Sequence, residues 1–221
     1  EHRILQYRLE QGALEVEFME EMFTEFSGKK TANEIIERLQ DREHLILISL
    51  GPSLDDPAVE IPVAFKVGHE LRQHETSLQL ADLVSRMGDS VKFPGRKIFY
   101  SWIGGVRKEW RGQGHYRALT EQQEEWAHLH GYDELIVKTK NKFYTMRATL
   151  DHLRFDVIKF EPHRSDKTES KVYLSKQLSP DSKDSRSLRS ILSDAKEGKQ
   201  ADQGEVNAAV GRSTRYLLPA M

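Results

Sequence analysis

Residues 98–117, Ile-Phe-Tyr-Ser-Trp-Ile-Gly-Gly-Val-Arg-Lys-Glu-Trp-Arg-Gly-Gln-Gly-His-Tyr-Arg, constrain this chain more than any other stretch. From Ile98 to Ile103 aromatic and β-branched residues dominate, which predicts a strand, and Gly104 and Gly105 leave its far end without side chains. Gly112 and Gly114 then stand where a short loop turns into a helix. Main-chain N–H groups can face outward there with no Cβ in the way, and the helix dipole adds partial positive charge. Such a junction asks for an anion, and the remaining chain must supply the sheet that holds it.

Electrostatics make that anion site local. The chain of 221 residues carries a formal net charge of −2, so the molecule as a whole offers nothing to nucleic acid or to an anionic membrane. Its length suits one domain with a tail. The absence of cysteine excludes a disulfide frame, a thiol nucleophile and a thiolate metal site, and favours a cytoplasmic home. No run approaches a bilayer span, and the opening Glu-His-Arg-Ile-Leu-Gln-Tyr lacks the apolar centre of a secretion signal. The histidines show no metal-ligand spacing: His128 and His130 are too close in sequence to share a helical face.

In chain order, alternation over residues 4–9 predicts an opening strand. Leu14, Phe18, Met22 and Phe26 recur at helical spacing up to Ser27-Gly28, and Thr31 with Glu34 forms a capping box for a second helix carrying Ile35, Ile36 and Leu39. Residues 44–50 read as a buried strand and 61–67 as its hairpin partner. In the stretch 71–95, Leu78, Leu80, Leu83, Val84 and Met87 suit a helical turn or two, and the segment reads as a lid or as a surface excursion. After the strand at 98 come a helix over 111–130 closed by Gly131, a strand over 133–139, a helix through Phe143, Met146, Leu150 and Leu153, and strands over 155–160 and 171–178. Polar residues then dominate, so 1–178 is read as the domain and 179–221 as an appendage with one short amphipathic stretch.

Three phosphate-binding readings compete for Arg111-Gly-Gln-Gly-His-Tyr-Arg117. A Walker loop fails because no Gly-Lys-Ser/Thr follows, and a dinucleotide fingerprint needs a glycine where Arg117 stands and an acid where the next strand ends in Lys138 and Lys140. An acetyl-CoA loop remains. Strand, Val106, Arg111-x-x-Gly114, helix, strand and Asn141, in that order, resemble the Gcn5-related N-acetyltransferase (GNAT) family over residues 3–178. The resemblance implies an α/β (α+β) fold: a mixed, mostly antiparallel sheet of six to seven strands flanked by about four helices. It implies an acetyl-CoA-dependent transfer of an acetyl group to a primary amine, with no metal, and a homodimer as the usual assembly. A module that binds CoA with little or no transferase activity is the alternative.

Within that resemblance, Gly104, Gly105 and Val106 hydrogen-bond the pantetheine, with the Val106 N–H near the thioester oxygen. Gly112, Gln113, Gly114, His115, Tyr116 and Arg117 hold the diphosphate together with Arg111, and Asn141 completes the coenzyme site. Arg107, Lys108, Lys138, Lys140, Lys142 and Arg147 add positive charge around it. Departures from the pattern are Tyr116 in place of a small residue, whose ring must turn away from the diphosphate, Arg154 in place of a glycine before Phe155, and Leu150 where many members carry a tyrosine. For a base the sequence offers Glu70, acting through a water, and beside it His69, both at the end of the third strand, where an acceptor amine would enter. For an acid it offers Tyr144, which equally suits packing against the pantetheine. Trp126 reads as core, Trp110 as a loop cover, and Trp102 as the tryptophan that can face the acceptor.

Overall fold

The computed structural model describes residues 2–9, 19–20 and 30–178. The first predicted helix, apart from helical Met19 and Glu20, and the appendage 179–221 lie outside the described residues. Seven strands form one sheet in the order β1-β2-β3-β4-β5-β7-β6. They are β1 (Arg3–Tyr7), β2 (His44–Pro52), β3 (Glu60–Leu71), β4 (Ile98–Val106), β5 (Glu134–Lys140), β6 (Asp156–Glu161) and β7 (Lys171–Gln177). Every neighbouring pair is antiparallel except β4 and β5. That parallel pair needs a crossover, which a long helix supplies.

Four described helices cover the two faces: α1 (Ala32–Leu39), α2 (Leu78–Met87), α3 (His115–Leu129) and α4 (Tyr144–His152). On one face Leu119, Trp126 and Ala127 of α3 and Leu150 of α4 pack on Leu45, Leu47, Ala64, Phe99, Leu135 and Val137. On the other face α1 sets Ile35 and Leu39 against Ile46, Ile48, Phe65 and Val67. Alternate strand residues thus feed two cores, which is why β2 and β3 read as nearly continuous apolar runs. The capping box of α1 is present: Thr31 Oγ1 accepts from the Glu34 N–H, and Glu34 Oε2 accepts from the Thr31 N–H.

Two expectations need correction. The stretch 71–95 is not a lid: α2 buries Leu80, Leu83 and Met87 against Leu71, Ile98, Tyr100, Ile136 and Tyr173. The third strand does not stop at Val67 but continues to Leu71, paired with β4 throughout. Pro62 is accommodated at its start because the β2–β3 register shifts between Ser49 and Leu50, so a missing N–H falls at an irregularity.

Candidate functional site

The parallel pairing of β4 and β5 lasts only from Ile98–Glu134 to Ser101–Val137. Beyond it β4 pairs with β3 alone and β5 with β7 alone, so the sheet opens into a gap. A bulge opens it: Ser101 faces Gly68 and Ile103 faces Val67, which leaves Trp102 as the extra residue at the first position past the last shared pair. The Arg107 N–H donates to the Val63 carbonyl at 2.9 Å, and Ala64 opposes Val106. In antiparallel alternation the polar groups of Val106 and Gly104 therefore turn away from β3, into the gap. A Cβ at Gly104 would meet Phe65 O at 3.0 Å and Lys66 Cγ at 3.4 Å, so glycine keeps that edge bare.

Gly112 and Gly114 adopt φ of 76° and 84°, the left-handed region that glycine enters without strain, and Gly114 is the N-cap of α3. From Gly112 to Arg117 no main-chain N–H has an acceptor among the described residues, as expected where a helix begins without a side-chain cap. Arg111 Nε donates to the Val106 carbonyl at 3.0 Å, tying this loop to the end of β4. His2 Nε2 donates to the Gln113 carbonyl at 2.8 Å, and the His2 ring meets His115 edge-on at 4.5 Å. His115 is buried and shares a 2.8 Å hydrogen bond with Ser49 Oγ; burial, then the nearby His2, lowers its pKa. Tyr116 sits on the buried side of the helix with Lys66 Nζ 4.4 Å from its ring centroid. Its ring thus turns away from the loop. Burial alone brings the Lys66 amine down to about 7.

The opposite edge of the gap is tied down. Lys140 and Lys142 both reach Glu169, the former at 2.6 Å, and they hold its carboxyl down to about 2. The Asn141 side chain accepts from Arg147 Nη1 and donates to the Lys167 carbonyl at 3.2 Å, while its N–H donates to Ser170 O at 2.7 Å. Arg154 occupies φ 67°, in the left-handed region that favours glycine. Tyr144, at the start of α4, is more than half exposed and hydrogen-bonds to nothing among the described residues.

No protein-family profile matches the chain, and no curated protein matches it by sequence. Solved structures do. Arabidopsis thaliana NAA60 in complex with acetyl-CoA superposes with a TM-score of 0.60 at 10% identity, over 80% of this chain and 99% of that one. The NatC complex bound to Gag peptide and CoA gives 0.56 at 13% identity, over 80% and 99%. The ribosomal-protein-S18-alanine N-acetyltransferase of Escherichia coli gives 0.54 at 11%, over 83% and 99%. The chain has the GNAT fold.

On that fold the predicted coenzyme residues Gly104 to Val106 and Arg111 to Arg117 come together around the gap and the start of α3. Glu70 does not join them. It opposes Phe99 near the end of β3, four residues or roughly 13 Å along that strand from Lys66, the partner of Gly104, and its carboxylate pairs with Arg72 at 3.0 Å. His69 is fully buried, its Nδ1 donating to the Glu70 carbonyl at 2.7 Å, and burial brings it down to about 3. Sequence reasoning missed the groups on the α1 side of the gap. Tyr100 lies at its closed end, buried, with its pKa pushed up to about 12, and so is a neutral phenol. Arg38 lies over the Trp102 ring at 4.4 Å. Lys138, read as a phosphate attractor, is the first residue of β5 past the shared pairing. Only the twofold period of the strands could have placed these side chains on one face. No helix among the described residues is long and apolar enough to cross a membrane, and no group of three potential metal ligands occurs among them.

Proposed function

We propose that this protein is an acetyl-CoA-dependent N-acetyltransferase acting on a primary amine. One observation carries the reading: a run of N–H groups at Gly112 to Arg117 with no acceptor among the described residues stands beside a gap in the sheet into which Gly104 and Val106 turn their own polar groups. A diphosphate suits the first feature and an extended amide chain the second. NAA60 has been solved with acetyl-CoA and NatC with CoA and a peptide, which supports the same donor here.

Acetyl-CoA is the acyl donor, so this chain's task is to hold the thioester and bring the amine to it. Gly112 to Arg117 anchor the diphosphate, and Gly104 and Val106 align the pantetheine with the gap, the Val106 N–H facing the carbonyl oxygen as charge develops. The amine nitrogen bonds to the acyl carbon, the C–S bond breaks, and the thiolate takes a proton while the amine loses one to solvent. Tyr144, exposed and without a hydrogen-bond partner among the described residues, is the proposed proton donor to the thiolate. Glu70 takes no part, being held by Arg72. Asn141 acts through the turn it braces.

Thiol release measured with a panel of small amines, amino acids and peptide N-termini tests the proposal. Acetyl-CoA-dependent release with at least one acceptor is expected, lowered about tenfold or more in Tyr144→Phe with coenzyme affinity retained. Binding of acetyl-CoA without turnover on any amine would leave a CoA-binding module, the reading that the placement of Glu70 favours. Deleting 179–221 should leave small-amine turnover intact, in keeping with a domain that ends near residue 178.

A further inference from the structure

Two cations flank the gap on the α1 face, and neither lies within ion-pair distance of a carboxylate among the described residues. Lys138 is in register with Tyr173, which packs beside Tyr100 and Ile136, so its side chain stands on that face. It makes no hydrogen bond or ion pair with any described residue. Arg38, in the last turn of α1, stacks its guanidinium on Trp102 and among the described residues donates to Gln79 Oε1 alone, at 3.1 Å. The carboxylates nearby are committed elsewhere: Glu75 to Arg42 at 2.9 Å, Glu161 and Asp82 to Arg86 at 2.8 and 2.7 Å, and Glu34 to the Thr31 N–H at 2.8 Å. Burial, then Lys171, Arg86 and Arg38, lower the pKa of Lys138, and Glu161, which is paired with Arg86, raises it in part.

Two partly buried cations without a counter-ion are costly to hold together, and the cost is recovered when an anion bridges them. Their position says which anion. Trp102 and Lys138 are the first residues beyond the last β4–β5 pair, so they frame the closed end of the gap, where the thioester carbon would sit. The other face is covered by α3 and α4, which leaves the α1 face as the approach for the acceptor. Resting on the transferase reading, we propose that the acceptor is an amine carrying a carboxylate within a few bonds of its nitrogen, and that Arg38 and Lys138 bind that carboxylate over Trp102. The planar guanidinium fork fits a carboxylate in two-point contact, and Lys138 adds a point charge from the opposite strand.

The test uses the full chain, acetyl-CoA and acceptors in matched pairs: free amino acids against their amides, and short peptides beginning with Glu against those beginning with Gln. The acid member of at least one pair should exceed its neutral twin about tenfold in kcat/KM. Which pair responds tells a free amino acid from an acidic peptide terminus. Arg38→Gln and Lys138→Gln should each raise KM for the acid about tenfold, while kcat, the neutral twin and the KM for acetyl-CoA hold. Lys138→Glu should reverse the preference within the pair. Equal turnover of acid and neutral twins in the unmodified protein, which needs no variant to fold, overturns the inference while leaving the transferase reading in place. Acetyl-CoA binding with no turnover on any acceptor overturns both.

Discussion

The two edges of the gap between β4 and β5 are finished in opposite ways. On the β4 edge, Gly104 and Val106 turn their polar groups outward, and the adjoining loop carries N–H groups from Gly112 to Arg117 that nothing in the described protein accepts. On the β5 edge the side chains are paired within the protein: Lys140 and Lys142 share Glu169, and Asn141 is held by Arg147 and the Lys167 carbonyl. Unpaired main-chain donors are tolerable only where water or a ligand reaches them. In the proposed reading, one edge therefore binds the coenzyme and the other is held by its own side chains, although both carry residues of the family pattern.

The largest effect should come from Gly114→Trp. The indole would stand where His2 already approaches a Cβ position to 3.3 Å and would cover the free amides, so acetyl-CoA affinity should fall about a hundredfold or more by calorimetry, with the circular dichroism spectrum unchanged. Unaltered affinity would break the comparison at its binding side.

Beneath that edge Lys66 is buried, with the Tyr116 ring against its amine. Its pKa is lowered from 10.5 in the unfolded chain to about 7 by burial, so the folded protein binds fewer protons than the unfolded one between those values. Stability should therefore rise as the pH climbs from 7 to 10.5, and the penalty should be complete below 7. Lys66→Met should remove this slope and stabilise the protein at neutral pH by about 2 kcal/mol in urea titrations. A slope that survives the substitution would place its origin elsewhere.

Smaller effects sharpen the bracing side. Asn141→Ala should cost about 1 kcal/mol of stability and change acetyl-CoA affinity by no more than about threefold, since the amide is spent on Arg147 and Lys167. A hundredfold loss would make Asn141 a direct ligand and erase the asymmetry. Arg154→Gly should stabilise by about 1 kcal/mol, because glycine adopts φ 67° without the steric cost an arginine bears there, and thermal melts would register it.

Much of this architecture could be read from the chain. Helical spacing found α1, α3 and α4; the Thr31–Glu34 box marked a start, and the glycines at 112 and 114 marked the loop where left-handed backbone does occur. These are local signals, decided within a turn or two of chain. What escaped was long-range. Glu70 does stand at the end of the third strand, but only the pairing of Gly68 to Leu71 with β4 shows that this end lies away from the gap. Trp102 looks like any strand tryptophan until the register against β3 shows it to be the bulge that opens the sheet. Arg38, Trp102 and Lys138 come from three separate segments, and no spacing within any one of them announces that they share one face of the sheet. Asn141 was found by its motif, yet a motif does not reveal that the amide is consumed by its own turn.

The central claim is that the free amides at the start of α3 grip the diphosphate of acetyl-CoA. A crystal structure with acetyl-CoA bound tests it most directly. The account predicts diphosphate oxygens within about 3 Å of several N–H groups from Gly112 to Arg117, and the pantetheine lying along Gly104 and Val106 in the gap. A bound coenzyme whose diphosphate leaves those amides untouched would contradict it.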